Sequence, residues 1–131
     1  MKVLALDYGS ARTGVAVSDP TGTLARPVCV VERAATGPGL ERLASLIREH
    51  DPGRIVVGLP LTLRGEHGAQ ARETDAFVEA LGGVTAVPVD TFDERFTTRL
   101  AQQTGSSAPE DALAAAHLLE SYLTWSSAGQ A

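Results

Sequence analysis

Cysteine is almost missing from this chain: Cys29 is the single one, and it lies in the apolar run PVCVV. One cysteine excludes an internal disulfide and offers no metal-site spacing, so it reads as a small buried hydrophobe. Lysine is just as scarce. Lys2 is the only one, and arginine supplies ten of the eleven basic residues, set against sixteen acids for a net charge of −5. Nucleic-acid binders usually carry a basic surface, so any nucleic-acid contact here has to be local or bridged by cations, and composition alone favours neither partner class. No run approaches the roughly 20 apolar residues of a membrane-crossing helix, so no membrane partner is expected. No basic stretch followed by an apolar one precedes the first strand-like run, which makes the cytoplasm the expected compartment. Internal repeats, heptads and a linker long enough to divide the chain are missing too.

What is present fits one soluble globular domain. The 131 residues are 44% hydrophobic and 21% charged, enough for one core and too few for two ordinary domains. The domain is expected over residues 1–125, with 126–131 as a frayed tail.

Strand-like runs fall at Val3–Leu6, Gly14–Ser18, Arg26–Glu32, Arg54–Leu59 and Val84–Thr91. Only short polar or Gly/Pro turns separate the first three, which predicts a three-strand meander. After Glu32 the period changes. Pro38-Gly39 punctuates, and Leu40, Leu43, Leu46 and Ile47 form one stripe at helical spacing, closed by Asp51-Pro52-Gly53. A second helix is expected near Ala69–Leu81, stopped by Gly82-Gly83, and a short helical segment near Thr97–Gln103. The last helix lies in SAPEDALAAAHLLESYL, where Ser107 and Glu110 match a capping box and Pro109 suits a first turn. A meander followed by α/β crossovers implies an α/β fold with a five-stranded mixed sheet and helices on both faces. Sites in such sheets gather where strands end at a crevice.

The stretch LALDYGSARTGVAVSD raises the chemical question. Asp7 ends an all-apolar strand, and an unpartnered charge carried toward the interior is costly. It is either an Asx-turn former or a functional acid, and the apolar strand leading to it favours function. Gly9 and Gly14 let the backbone turn and approach a ligand, but no Lys-Ser/Thr follows, so this is not a P-loop. In DERFTT, Glu94 either joins a solvated salt-bridge turn or points back to the crevice of Asp7. Asp111, in the first turn of the last helix, suits the helix dipole. The alanines around it also let that helix lie close enough to the sheet to bring it near the strand ends.

Three converging carboxylates repel one another unless cations screen them. Oxygen donors suit Mg²⁺ or Mn²⁺, and two ions about 3.5–4 Å apart can activate water and stabilise the leaving oxygen of a phosphodiester. Arg12 and Arg95 flank the acids, where they either hold phosphates or neutralise carboxylates. His50, His67 and His117 suggest no zinc site.

LALDYGSARTGVAVSD, VVGLPLTLRGEHGAQA, DTFDERFTT and EDALAAAHLLESYL, in this order and spacing, closely resemble the YqgF/RuvX family over roughly residues 1–125. That family consists of RNase H-like proteins described as Holliday junction resolvases and as pre-16S rRNA nucleases. The resemblance implies an RNase H-like fold and a metal-dependent nuclease, with Asp7, Glu94 and Asp111 as catalytic acids and metal ligands. Beside these acids, the residues' own positions put Arg12, Arg95, Gly9 and Gly14 on the expected substrate side. Related nucleases often carry an acid after the fourth strand, where this chain has Gly58-Leu59-Pro60; Glu94 would supply that ligand from the neighbouring strand. The chain departs from the family at TGSSAPED, which lacks the basic residues common ahead of the last-helix aspartate. With the acidic balance, this favours single-stranded or structured RNA, 16S rRNA precursors above all, over a DNA four-way junction. Junction resolution would call for a homodimer with two symmetric sites, whereas RNA trimming is open to a monomer. A non-catalytic ribosome-assembly factor would leave the three acids without a purpose. An actin-like ATPase would need a second domain that 131 residues cannot supply.

Overall fold

The fold follows from a computed structural model that describes residues 1–94 and 109–127. The order is β1 (Val3–Asp7), β2 (Arg12–Ser18), β3 (Ala25–Glu32), α1 (Gly37–His50), β4 (Arg54–Leu59), α2 (Ala69–Gly82), β5 (Val89–Asp93) and α3 (Glu110–Ser127). The sheet order is β3-β2-β1-β4-β5. The meander pairs antiparallel, whereas β4 joins β1 and β5 joins β4 in parallel. Each parallel pairing requires a crossover, and the helical stretches supply it.

Alternation along the strands divides the core into two layers. Leu4, Leu6, Val15, Ile55 and Val57 point to one face and pack with Leu43, Leu46 and Ile47 of α1 and Phe77 and Leu81 of α2. Val3, Ala5, Ala16, Val56 and Phe92 point to the other, against Ala115, Ala116, Leu118, Leu119 and Leu123 of α3. Burying such a side chain contributes about 1.5–3 kcal/mol, so both layers hold the strand ends firmly.

Local details depart from the sequence expectation at three places. Pro38 does not break α1; it sits in the first turn behind the N-cap Thr36, whose Oγ1 accepts the Gly39 N–H at 3.3 Å. The fifth strand runs Val89–Asp93 rather than Val84–Thr91. The Val84 N–H goes to the Leu81 carbonyl and the Val87 N–H to Thr85 Oγ1, and Pro88 has no N–H, so the chain turns here before pairing begins. Helix α3 continues through Ser127, past Leu123, where the stretch read as the last helix ends. Arg95, the segment near Thr97–Gln103, the Ser107 cap and residues 128–131 lie outside the described residues. Among the described residues, no helix is long and apolar enough to cross a membrane.

Candidate active site

Because β1, β4 and β5 run in one direction, their C-terminal ends share one edge of the sheet, the edge at which ligands enter open α/β folds. Asp7 is the last residue of β1 and is half-buried. Strand alternation sets it on the α3 face, two residues on from Ala5; Gly58 follows Val56 and Glu94 follows Phe92 onto that face. A cleft of about 290 Å³ opens at this edge of the sheet, between the strand ends and α2. Asp7, Tyr8, Gly9 and Ser10 line it from the β1 end, Pro60 and Glu94 from beyond β4 and β5, and Gln70, Glu73 and Thr74 from α2.

Glu94 reaches this cleft by crossing Gly58. A Cβ at residue 58 would stand 3.0 Å from Glu94 Cγ and 3.1 Å from its Cδ. The glycine after the apolar core of β4 therefore makes room for a carboxylate delivered by the next strand.

Asp111 is positioned differently. At Gly14 the backbone of α3 comes so close to β2 that a Cβ would stand 1.8 Å from the Asp111 carbonyl oxygen. Gly14 is in turn the register partner of Asp7. The Asp111 backbone is thus brought one strand away from Asp7, but its carboxylate faces Arg12, with Nε donating to Oδ2 at 2.9 Å. Among the described residues, no three His, Cys, Asp or Glu side chains stand together closely enough to hold an ion. Asp7 and Glu94 still suit a hard dication. Both offer oxygen to one cleft, and Mg²⁺ characteristically takes one or two carboxylates and completes its shell with water and substrate oxygens.

Of the residues aimed at substrate, Gly9 lines the cleft, Arg12 pairs with Asp111, and Gly14 is covered by α3. His67 bonds to Asp75 at 2.8 Å and His117 approaches Glu120 at 3.4 Å, both away from the cleft-lining residues. Cys29 is half-buried against the α1 side of the core, and that burial pushes its thiol up from the ordinary range.

Sequence reasoning missed the α2 wall. Thr74, Phe77 and Leu81 are the buried stripe of α2, and Gln70 and Glu73 extend it polar into the cleft. A carboxylate on a core-facing stripe was the available signal. Tyr8 was missed as well. Its ring stacks on Phe77 at 4.4 Å and 17°, and burial, then the charge of Glu73, raise its phenol above 10.0.

The backbone superposes on that of solved nucleases. Thermus thermophilus RuvC in complex with a Holliday junction substrate matches with a TM-score of 0.68, covering 100% of this chain and 98% of that one at 19% identity. The fowlpox virus Holliday junction resolvase matches with a TM-score of 0.53, covering 95% and 99% at 12% identity. Such identities speak for the fold alone, and that fold is RNase H-like. The class is therefore that of proteins built on an RNase H-like sheet. More narrowly, the RuvX family, described as Holliday junction resolvase, matches residues 1–125, and the chain belongs to it. Proteins named "Putative pre-16S rRNA nuclease" are similar along nearly their whole length. The one from Anaeromyxobacter sp. is 44% identical, covering 94% of this chain and 96% of its own. That from Rubrobacter xylanophilus is 45% identical, covering 93% and 91%.

Proposed function

We propose that this chain is a divalent-metal-dependent nuclease that hydrolyses phosphodiester bonds in RNA, with pre-16S rRNA as its substrate in ribosome biogenesis. Residues 1–125 form its single nuclease domain, and it acts in the cytoplasm. The observation that carries this reading is the pair Asp7 and Glu94 in one cleft, the second admitted by the missing side chain of Gly58. The names of the relatives support the RNA assignment. So does the charge: at −5, local contact with a single strand is easier than neutralising the many phosphates of a four-way junction.

In this mechanism Asp7 and Glu94 would hold Mg²⁺ or Mn²⁺ through carboxylate oxygens, with Asp111 completing the acid set. When bound, the metal supplies positive charge that activates water and balances the charge developing on the phosphodiester. The protein's own work is orientation. The β-strands fix Asp7 and Glu94, Gly9 lets the turn border the cleft closely, and Arg12 and Arg95 hold substrate phosphates as planar, fork-shaped donors. Tyr8, whose phenol is protonated at neutral pH as any tyrosine's is, brings a hydroxyl to the cleft wall.

The test incubates wild type and Asp7→Asn with labelled single-stranded RNA, single-stranded DNA and a four-way DNA junction, in Mg²⁺, Mn²⁺ or chelator. The expected result is metal-dependent cutting of RNA that disappears in the variant. Preferred cutting of the junction would move the assignment to recombination. No cutting by folded wild type in any metal would leave the assembly-factor role.

A further inference from the structure

The ion pair between Arg12 and Asp111 joins two residues that the nuclease reading needs elsewhere. Asp111 belongs to the acid set, yet it does not line the cleft with Asp7 and Glu94. Arg12 is assigned to phosphate, yet its Nε is 2.9 Å from Asp111 Oδ2. We propose that Arg12 is the exchangeable counter-ion of Asp111: Asp111 exchanges this partner for a dication, and Arg12 turns to a substrate phosphate. This inference rests on the nuclease reading and adds to it an order of events.

The geometry leaves little for the exchange to do. The Asp111 backbone is pinned against Gly14, and Gly14 lies directly opposite Asp7 in the β1–β2 register. Opposed residues of antiparallel strands are about 4.5–5.5 Å apart at Cα. Side-chain rotation, with no movement of the helix, therefore separates the Arg12-facing carboxylate from one facing Asp7. Arg12 sits two residues before Gly14 on the same face of β2, and Gly14 is the register partner of Asp7.

Electrostatics makes the exchange conditional. Turning a second carboxylate toward Asp7 is opposed by like charge unless a cation screens the pair. Pairing with Arg12 is the favourable alternative, and it is shallow. The Arg12 and Asp111 side chains are 64% and 43% exposed, and pairs this open to water are among the weakest in proteins. A guanidinium released from Asp111 keeps its two-pronged donor geometry, which matches a phosphate as well as a carboxylate.

The experiment uses the full chain as wild type, Arg12→Ala, Asp111→Asn and the double variant. Mn²⁺ binding is followed without nucleic acid by the resonance signal of the free ion. Binding of a labelled single-stranded RNA oligonucleotide is followed by anisotropy in Ca²⁺ and in chelator, across a salt series. Loss of a competing cation predicts that Arg12→Ala binds Mn²⁺ more tightly, by up to about five-fold. This gain should vanish in the Asp111→Asn background, which separates release of Asp111 from a general change in field. In Ca²⁺, Arg12→Ala should weaken RNA binding and lower the salt slope by about one; in chelator, where Arg12 stays on Asp111, it should change little. Unchanged or weaker Mn²⁺ binding by Arg12→Ala overturns the exchange. So does a gain that survives Asp111→Asn, or an RNA loss equal in both conditions. Failure of folded wild type to bind Mn²⁺ would overturn the nuclease reading with it.

Discussion

Glu94 lies over Gly58 so closely that a methyl group at residue 58 would stand 3.0 Å from its Cγ. The same methyl would also stand 3.2 Å from Leu118 Cδ2 on α3, so it cannot lean away toward α3, and the Glu94 side chain has to give way by a few tenths of an ångström. Gly58 is an ordinary strand position that pairs with Phe92, and alanine there meets crowding without backbone strain. Gly58→Ala should therefore keep the fold and displace the Glu94 carboxylate. Misplacing a catalytic group by a fraction of an ångström to an ångström costs on the order of ten- to a hundred-fold in rate. Cleavage kinetics beside a thermal melt checks this. A variant as active as wild type would mean that Glu94 does not work from this position.

Gly14 calls for the opposite outcome. The atom in its way is backbone, the Asp111 carbonyl oxygen at 1.8 Å, and no rotamer can relieve that. Gly14→Ala must push α3 off β2, and forced overpacking of this kind costs about 1–3 kcal/mol, occasionally more. Denaturant unfolding should show the loss directly. If Gly14 instead serves a phosphate, the variant would keep its stability and lose nucleic-acid affinity alone.

These two glycines show what the sequence made legible and where it stopped. Periodicity revealed the first four strands and the helix stripes, because burial on a sheet face or helix stripe leaves a regular trace. Asp7 was legible for a related reason: a charge at the end of an apolar strand contradicts its surroundings. The roles of Gly58 and Gly14 depend on which residue lies across the sheet, and spacing along the chain cannot reveal that. The fifth strand was read too early because Val84–Pro88 is apolar enough for a strand, while Thr85 and Pro88 deny it the hydrogen bonds. Glu73 and Tyr8 escaped because one helix wall completes the cleft, a tertiary contact with only a weak trace in the stripe of α2. That Arg12 neutralises a carboxylate was one of its two sequence readings; which carboxylate, Asp111 at 99 positions' distance, left no trace along the chain.

Asp19, at the end of the second apolar run, is a turn organiser rather than a member of the cleft. Its carboxylate accepts the Thr21 hydroxyl and the N–H groups of Thr23 at 2.7 Å and Leu24 at 2.8 Å. These bonds, the one from Thr21 foremost, hold its carboxyl well below the usual carboxylate range. A carboxyl depressed in the folded state stabilises it above the unfolded value of about 4, and that contribution is lost as pH falls toward the folded value. Asp19→Asn should thus be less stable than wild type at neutral pH, and the gap should narrow on acidification below about 4. Denaturant midpoints measured across pH test this. Curves that run parallel would show that the bonds to Asp19 add nothing to folding.

Tyr8 supplies the alkaline counterpart and probes the α2 wall. Burial, and after it the nearby charge of Glu73, raise its phenol above 10.0. The unfolded chain then releases this proton first, so stability should decline as pH rises through the window above about 10. Glu73→Gln removes the second cause and leaves the first, because the ring still stacks on Phe77. The Tyr8 titration should accordingly move down without reaching the value of free tyrosine. The chain has two tyrosines, so phenolate absorbance read in a Tyr122→Phe background reports Tyr8 alone. A titration unmoved by Glu73→Gln would mean that the Glu73 carboxylate does not face the cleft that Tyr8 lines, and α2 would lose its acidic part in the site.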